Sequence, residues 1–321
     1  MKAARTSSLP RLAPLGRFVA SGLTRRPGVL PGWLFQDARG RQLFAELTRS
    51  PEHYGARTQA ALVDENAHAI AREAGAEVAL VELDADGGQR ADALRAALLE
   101  RQRWLHYIPV AASEAELGAS VERVAGRTPS LEIEPRRADF LQSVRFLASL
   151  PSPRLVAAVT PRMGELGAAD TVAELRAMRS VSSTLDTLLL AFDLASAPDA
   201  LCAAYDTADG AGARFGLHAL ERLNRELGAD FALDAWVHDV SWNASHSRVE
   251  LRLRAKTRQR VFVDALGLPL LFEPGDLIET ASFHKPDVDG IDRLLFAGGF
   301  ARRALWRDAD ERCAVVLAAA Q

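Results

Sequence analysis

The chain is poor in residues that build covalent or metal frameworks. Cys202 and Cys313 are the only cysteines among 321 residues. Two thiols so far apart make neither a disulfide framework nor a zinc cluster, and they fit a reducing, cytoplasmic setting. Aromatic residues are only 7% of the chain, and the formal net charge is -3. With no aromatics interleaved among Lys/Arg runs and no basic field, nothing argues for nucleic acid. No apolar run approaches the length of a membrane span. Acidic residues are missing before Asp37, whereas Lys2, Arg5, Arg11, Arg17, Arg25 and Arg26 all fall there. That asymmetry reads as the frayed start of an Arg-rich chain rather than a transit peptide or basic arm. Arg17 splits LAPLGRFVASGL, which excludes a secretory apolar core. His218, His238, His246 and His284 lack metal-ligand spacing, and His106, in an apolar strand, is expected in the core. No HExxH, GxSxG or paired-carboxylate motif is present.

What is present is an ordinary globular composition, 48% apolar and 25% charged, long enough for one large domain or two smaller ones. From Thr58 to about Asp193 strands and helices alternate. A helix from 58 ends at Gly75, a natural C-cap. Strands are expected at 78–83, 106–110, 131–135, 155–159 and 187–193, with helices at 90–101, 114–124 and 168–178. Continuous apolar strands between amphipathic helices predict a parallel sheet covered on both faces, a doubly wound α/β fold. Helices near 197–205 and 215–227 follow. WVHDVSWN, RVELRLRAK, QRVFV and PLLF then predict one antiparallel, half-solvated sheet. A helix in VDGIDRLLFAGGF and strands in ALWRD and CAVVLAAA close the chain. The expected domains are 60–195 plus 287–321, Rossmann-like, and 10–59 plus 196–286, a smaller α+β unit.

Between strand 78–83 and helix 90–101 sits DADGG, where doubly wound folds usually cradle a nucleotide-like cofactor. It fits neither a calcium loop, since position five is Gly88 and position twelve Arg95, nor a GxGxxG turn. On its own it reads as an exposed acidic turn at a helix N-terminus.

Three stretches together resemble the histidine-specific Nα-methyltransferase family, whose archetype makes hercynine in ergothioneine biosynthesis with S-adenosylmethionine. They are LPGWLFQDARGRQLFAELTRSPEHYGART, AAYDTADGAGARFGLHALERLNRELGADFALDAWVHDVSWN and RVELRLRAKTRQRV. The resemblance covers nearly the whole chain. It implies a class I methyltransferase fold with a second, substrate-type domain, and S-adenosylmethionine as cofactor if the chain is active. The family's E-L-G-S-G loop here keeps Glu82 and Leu83 but has Asp84, Ala85 and Asp86. Those side chains crowd the approach of the cofactor's methionine part, and Asp84 would face its carboxylate. The family's ribose-holding acid falls at Ala111, while the adenine-side Asp139–Phe140 pair is kept.

On the substrate side the family's tyrosines fall at Gln36 and His53, and its amino-holding asparagine at Glu165. In TASFHK, Ala281 and Phe283 replace a glutamate and a serine that read the imidazole. Tyr205 is the one pocket residue kept in kind. Paired loss at both sites, on a scaffold that keeps Asn224–Arg225–Glu226 and Trp242–Asn243, favours a non-catalytic member: a scaffold, regulatory partner or small-molecule sensor. The alternative is an active N-methyltransferase on a different amine, with Glu165 or His53 taking the proton and Tyr205 orienting the nucleophile. A protein partner, a relative or a pathway enzyme, and a small amine or amino-acid ligand are both open.

Overall fold

The structure, a computed structural model, describes residues 9–35, 37–85, 91–124, 129–138, 140–159 and 166–321, with backbone alone at 9–14, 140 and 141. Contacts divide the chain into two compact units, Met1–Tyr54 with Pro198–Phe283, and Gly55–Ala197 with His284–Gln321. The first unit opens with α1 (Leu9–Leu23), β1 (Gly28–Val29) and α2 (Ala38–Arg49). The second runs α3 (Gly55–Ala74), β2 (Ala79–Leu83), α4 (Asp92–Leu99), β3 (Leu105–Ala111), α5 (Glu114–Val124), β4 (Leu131–Ile133) and β5 (Arg136–Arg137). It continues with α6 (Phe140–Leu147), β6 (Arg154–Ala158), α7 (Ala168–Arg179) and β7 (Thr187–Asp193). The first unit then resumes with α8 (Pro198–Ala203), α9 (Ala211–Leu227), β8 (Trp236–Asn243), β9 (Arg248–Ala255), β10 (Gln259–Val263), β11 (Leu268–Phe272) and β12 (Leu277–His284). Finally α10 (Val288–Gly298), β13 (Phe300–Arg307) and β14 (Cys313–Ala320) complete the second. No described helix is long and apolar enough to cross a membrane.

In the second unit an eight-stranded sheet has the order β13-β14-β7-β6-β2-β3-β4, with β5 beside β3. Strands β3, β2, β6 and β7 are mutually parallel, while β14 is antiparallel to β7 and β13 antiparallel to β14. This is the Rossmann-like, doubly wound arrangement the apolar strands predict. Residues such as Val81, Val156, Leu190 and Val316 have no polar alternation because helices cover both faces. Strand order reverses between β2 and β6, so the C-terminal ends there form the topological switch point where such sheets bind ligands. Helix α3 stops at Ala74 because Gly75, at φ +106°, supplies the left-handed turn an L-residue resists.

The first unit is α+β. Its four-stranded sheet has the order β1-β12-β9-β8, and α9 covers one face of it. Helix α9 buries Phe215, Ala219, Leu220, Leu223 and Leu227 in the core that also holds Val249, Leu251 and Leu253 of β9. That stripe recurs at helical spacing, which is why the helix is amphipathic. Two expectations change here. Strands β10 and β11 do not join β8 and β9; they form a separate two-stranded ribbon. The sheet takes β12 instead, whose LIETASFH carries too many small and polar residues to read as a strand unaided. Also, His106 is not core: its Nε2 lies 2.8 Å from Glu134 Oε2, and both side chains are about one-third exposed.

Candidate functional site

On the second unit the candidate site lies at the C-terminal ends of β2 and β3. Glu82, 6% exposed, lies on the same face of β2 as its cross-strand diagonal neighbour Tyr107. The Tyr107 hydroxyl donates to the Glu82 carboxylate. Burial and the Glu82 charge push the Tyr107 pKa far above its ordinary value, so the phenol stays a donor. The Arg95 guanidinium sits 4.6 Å from the Tyr107 ring centroid and pairs with Asp92, which Arg123 also holds at 2.5 Å. Glu82 is therefore a clamped carboxylate at the head of the turn.

The turn itself begins at Asp84 with φ +52°, the left-handed region that costs an ordinary L-residue about 1–2 kcal/mol and that aspartate tolerates better than most. The next residue is tied down, Ala85 N–H donating to the Val110 carbonyl at 2.9 Å. Asp84 thus keeps a backbone conformation suited to glycine while bringing a carboxylate to it. Cavities of about 20 and 10 Å³ flank it, one lined by Glu174, Leu175 and Met178, the other by Val63, Ala91 and Leu94. At the end of β3, Ala111 is 2% exposed and carries no polar group.

The first unit gathers a second set of side chains. Tyr205, Phe283 and His53 are 2%, 3% and 3% exposed. The Tyr205 and Phe283 rings stack at 4.4 Å and 23°, with His53 edge-on to Tyr205 at 5.4 Å. Phe44 lies 6.3 Å from both His53 and Phe283, and Phe215 and Phe35 extend the cluster. Ala281, two residues before Phe283 on β12, is half-buried against the hydrophobic core to which Tyr205 and Phe283 belong. The Tyr205 backbone is fixed by His238, whose Nε2 is 3.0 Å from the Tyr205 carbonyl. A carbonyl only accepts, so Nε2 carries the hydrogen, and burial holds the His238 pKa below its ordinary value. Gly212 is required beneath it, since a Cβ there would come 1.8 Å from the Tyr205 oxygen. Asp209 links the two flanking loops, accepting from Ser50 Oγ at 2.9 Å and Thr207 Oγ1 at 2.7 Å.

Asp37 anchors the start of α2. It caps α2 through Gly40 N–H at 2.7 Å and meets His218 Nε2 at 2.7 Å and Arg225 at 2.6 Å. Burial would raise its pKa, but the Gly40, His218 and Arg225 contacts outweigh burial and hold it at about 2 rather than 3.8. A depressed carboxylate pKa contributes stability that is complete above its unfolded value and is lost as pH falls through the folded one. Asp37→Ala is expected to lose about 2 kcal/mol at pH 7, with the gap to wild type narrowing from pH 4 toward pH 2. Urea unfolding of both proteins across that range checks it, and a pH-independent gap would contradict it.

The structure thus brings His53, Tyr205, Ala281 and Phe283 together on one unit, and places Glu82 and Asp84 together on the other. Gln36, Asp86, Asp139 and Glu165 lie outside the described residues, as does the Phe140 side chain. Sequence reasoning missed Tyr107, Phe44 and Asp209. Only a diagonal cross-strand relation could have pointed to Tyr107, and that needs the register of β2 on β3. Lys285, the last residue of TASFHK, is 2% exposed and pairs within the second unit with Asp193 at 2.6 Å. Gln59 donates to the same Asp193 at 2.8 Å. Among the described residues no group of three or more His, Cys, Asp or Glu is placed to hold a metal.

A family model described as "Histidine-specific methyltransferase, SAM-dependent" matches residues 15–320. The chain is 33% identical over 296 residues to the histidine N-alpha-methyltransferase of Mycolicibacterium smegmatis, covering 92% of this chain and 91% of that protein. It is also 33% identical over 298 residues to the protein of the same name from Mycobacterium tuberculosis, with the same coverage. Among solved structures, an S-adenosylmethionine-dependent methyltransferase from Clostridium acetobutylicum aligns over 87% of this chain and 98% of its own at 10% identity and TM-score 0.42. The strand order, not that likeness, assigns the fold.

Proposed function

The chain belongs to the histidine-specific, S-adenosylmethionine-dependent methyltransferase family, and from that premise we propose that it is a member that no longer methylates histidine. It acts as a non-catalytic scaffold, partner or small-molecule sensor. The observation that carries this reading is Asp84, a carboxylate at φ +52° where the resemblance sets the first glycine of the cofactor turn. The residues present do not fit S-adenosylmethionine well. A side chain fills the approach that glycine leaves open, its charge opposes the cofactor's carboxylate, and Ala111 offers nothing to ribose hydroxyls. The stacked, buried Tyr205–Phe283 pair supports the same reading on the substrate side, since an aromatic ring of the chain itself stands at the position of a serine meant for an imidazole.

A second reading, transfer to a different amine, is favoured by one observation: the backbone at Asp84 still holds the left-handed turn. In it His53 or Glu165 would accept the proton and Tyr205 would orient the amine, positioning being the main demand of the reaction. Incubation with a methyl-labelled donor, histidine and a panel of amines separates the two. No labelled product, beside an active family member as control, is the expected result; labelled product on any amine establishes the second reading, and labelled hercynine overturns the proposal.

A further inference from the structure

The end of β3 carries a charge arrangement that the loss of a cofactor site does not by itself require. In a doubly wound sheet, the strand beside the first one ends next to the bound ribose. An acid there holds the ribose hydroxyls, and an arginine nearby instead accommodates a phosphate on them. Here that end is Ala111, and the short strand β5 lies directly against it. The parallel register sets Val110 opposite Arg136 and Ala111 opposite Arg137. Paired residues share a sheet face, so Arg137 projects on the same side as the Ala111 methyl. The pairing is continued by Ala138 N–H, which donates to the Ala111 carbonyl at 3.0 Å. The position that lost an acid thus has Arg137 on its own sheet face and on a fixed backbone, while Arg136, the residue before it, belongs to the opposite face.

Both arginines are reachable. Arg137 is 64% exposed and meets Glu114, itself 83% exposed, at 3.2 Å. Arg136 is held over the Phe146 ring, 4.9 Å from its centroid, and contacts Glu134. So exposed a pair as Arg137–Glu114 is weakly held, whereas a guanidinium grips a phosphate through two parallel, charge-assisted hydrogen bonds. The neighbouring strand end works in the opposite sense. Asp84 sits in the first strand–helix turn, where doubly wound folds receive the 5′-phosphates of a nucleotide, and its carboxylate opposes them.

We propose that this strand-end cradle binds a nucleoside phosphorylated on its 2′ or 3′ ribose oxygen, and not at 5′, with Arg137 reading that phosphate. The inference rests on the reading that the cradle no longer serves S-adenosylmethionine, and it names the ligand class such a sensor would take.

The test is titration of the full-length protein, by thermal shift and calorimetry at low salt, with adenosine 2′-monophosphate, adenosine 3′-monophosphate, adenosine 5′-monophosphate, adenosine and inorganic phosphate. The 2′ or 3′ monophosphate is expected to raise the melting temperature, as a ligand of the folded state must, and to bind at least tenfold more tightly than the 5′ isomer or adenosine. Arg137→Ala, at an exposed side chain, is expected to weaken that binding roughly tenfold to a hundredfold with an unchanged melting temperature of the free protein. Arg137→Lys is expected to recover part of it. Equal binding of all three isomers, binding insensitive to Arg137→Ala, or no binding by either the 2′ or the 3′ isomer overturns the proposal. Titration with S-adenosylmethionine on the same samples keeps the two claims apart: its tight binding defeats the non-catalytic reading whatever the phosphates do.

Discussion

Asp186→Ala is expected to destabilise the protein by about 3–5 kcal/mol, the usual result of stranding one partner of a buried ion pair. Arg154 and Asp186 have side chains only 4% and 1% exposed, at 2.5 Å from one another. Asp186 also accepts from Arg154 N–H at 2.8 Å, Ser183 N–H at 2.7 Å and Ser152 Oγ at 3.1 Å. Arg154 in turn donates to the carbonyls of Leu147, ending α6, and Val181, just past α7, the latter at 2.7 Å. The pair therefore fastens the starts of β6 and β7 to the ends of two helices. Burial alone would raise the Asp186 pKa, but Arg154 and the Ser183 N–H outweigh it and hold it below the ordinary value. Its contribution is thus present at neutral pH and lost on acidification. Urea unfolding at pH 7 reads the difference, and a loss below about 1 kcal/mol would mean that the contacts are not fully formed or that water repays the stranded charge.

The contrast between strands β6 and β12 explains what was legible in the sequence. Strand β6, like β2, β7 and β14, is buried on both faces and needs uninterrupted apolar residues, so LVAAV and CAVVLAAA announce themselves. Strand β12 serves as a sheet member and also carries Phe283 of the aromatic cluster, and LIETASFH shows neither a clean alternation nor an apolar run. Its place between β1 and β9 depends on long-range pairing that no local pattern encodes. The separate β10–β11 ribbon is the same problem reversed: its strands were readable, but their partners were not.

The site divides in the same way. The strand, turn and helix around Asp84 were legible as local signals, but the part of Glu82 and Asp84 in a cofactor turn came from the resemblance. Tyr205 and Phe283 were placed by resemblance alone, and their stacking joins residues distant in sequence. Arg137 had no local signal at all: RR after LEIEP looks like solvated charge until β5 is laid against Ala111.

The second large effect concerns the cofactor. On the proposed reading, a side chain at Asp84 obstructs the turn, its carboxylate opposes the ligand's own and Ala111 gives the ribose no acceptor, each of which removes a favourable contact or adds an unfavourable one. Together they are expected to leave S-adenosylhomocysteine and S-adenosylmethionine with dissociation constants weaker than about 1 mM, an interaction of about 4 kcal/mol or less. Asp84→Gly with Asp86→Gly and Ala111→Asp is expected to bring affinity back, because those three changes reinstate the open turn and the ribose acceptor together.

Calorimetric titration of the wild-type protein with S-adenosylhomocysteine, beside an active family member, tests the central claim most directly. The expected result is no saturable heat up to millimolar ligand for this chain and clear saturation for the control. Saturable one-to-one binding at micromolar affinity would contradict it, and would return Asp84 to the status of an unusual but working cofactor turn.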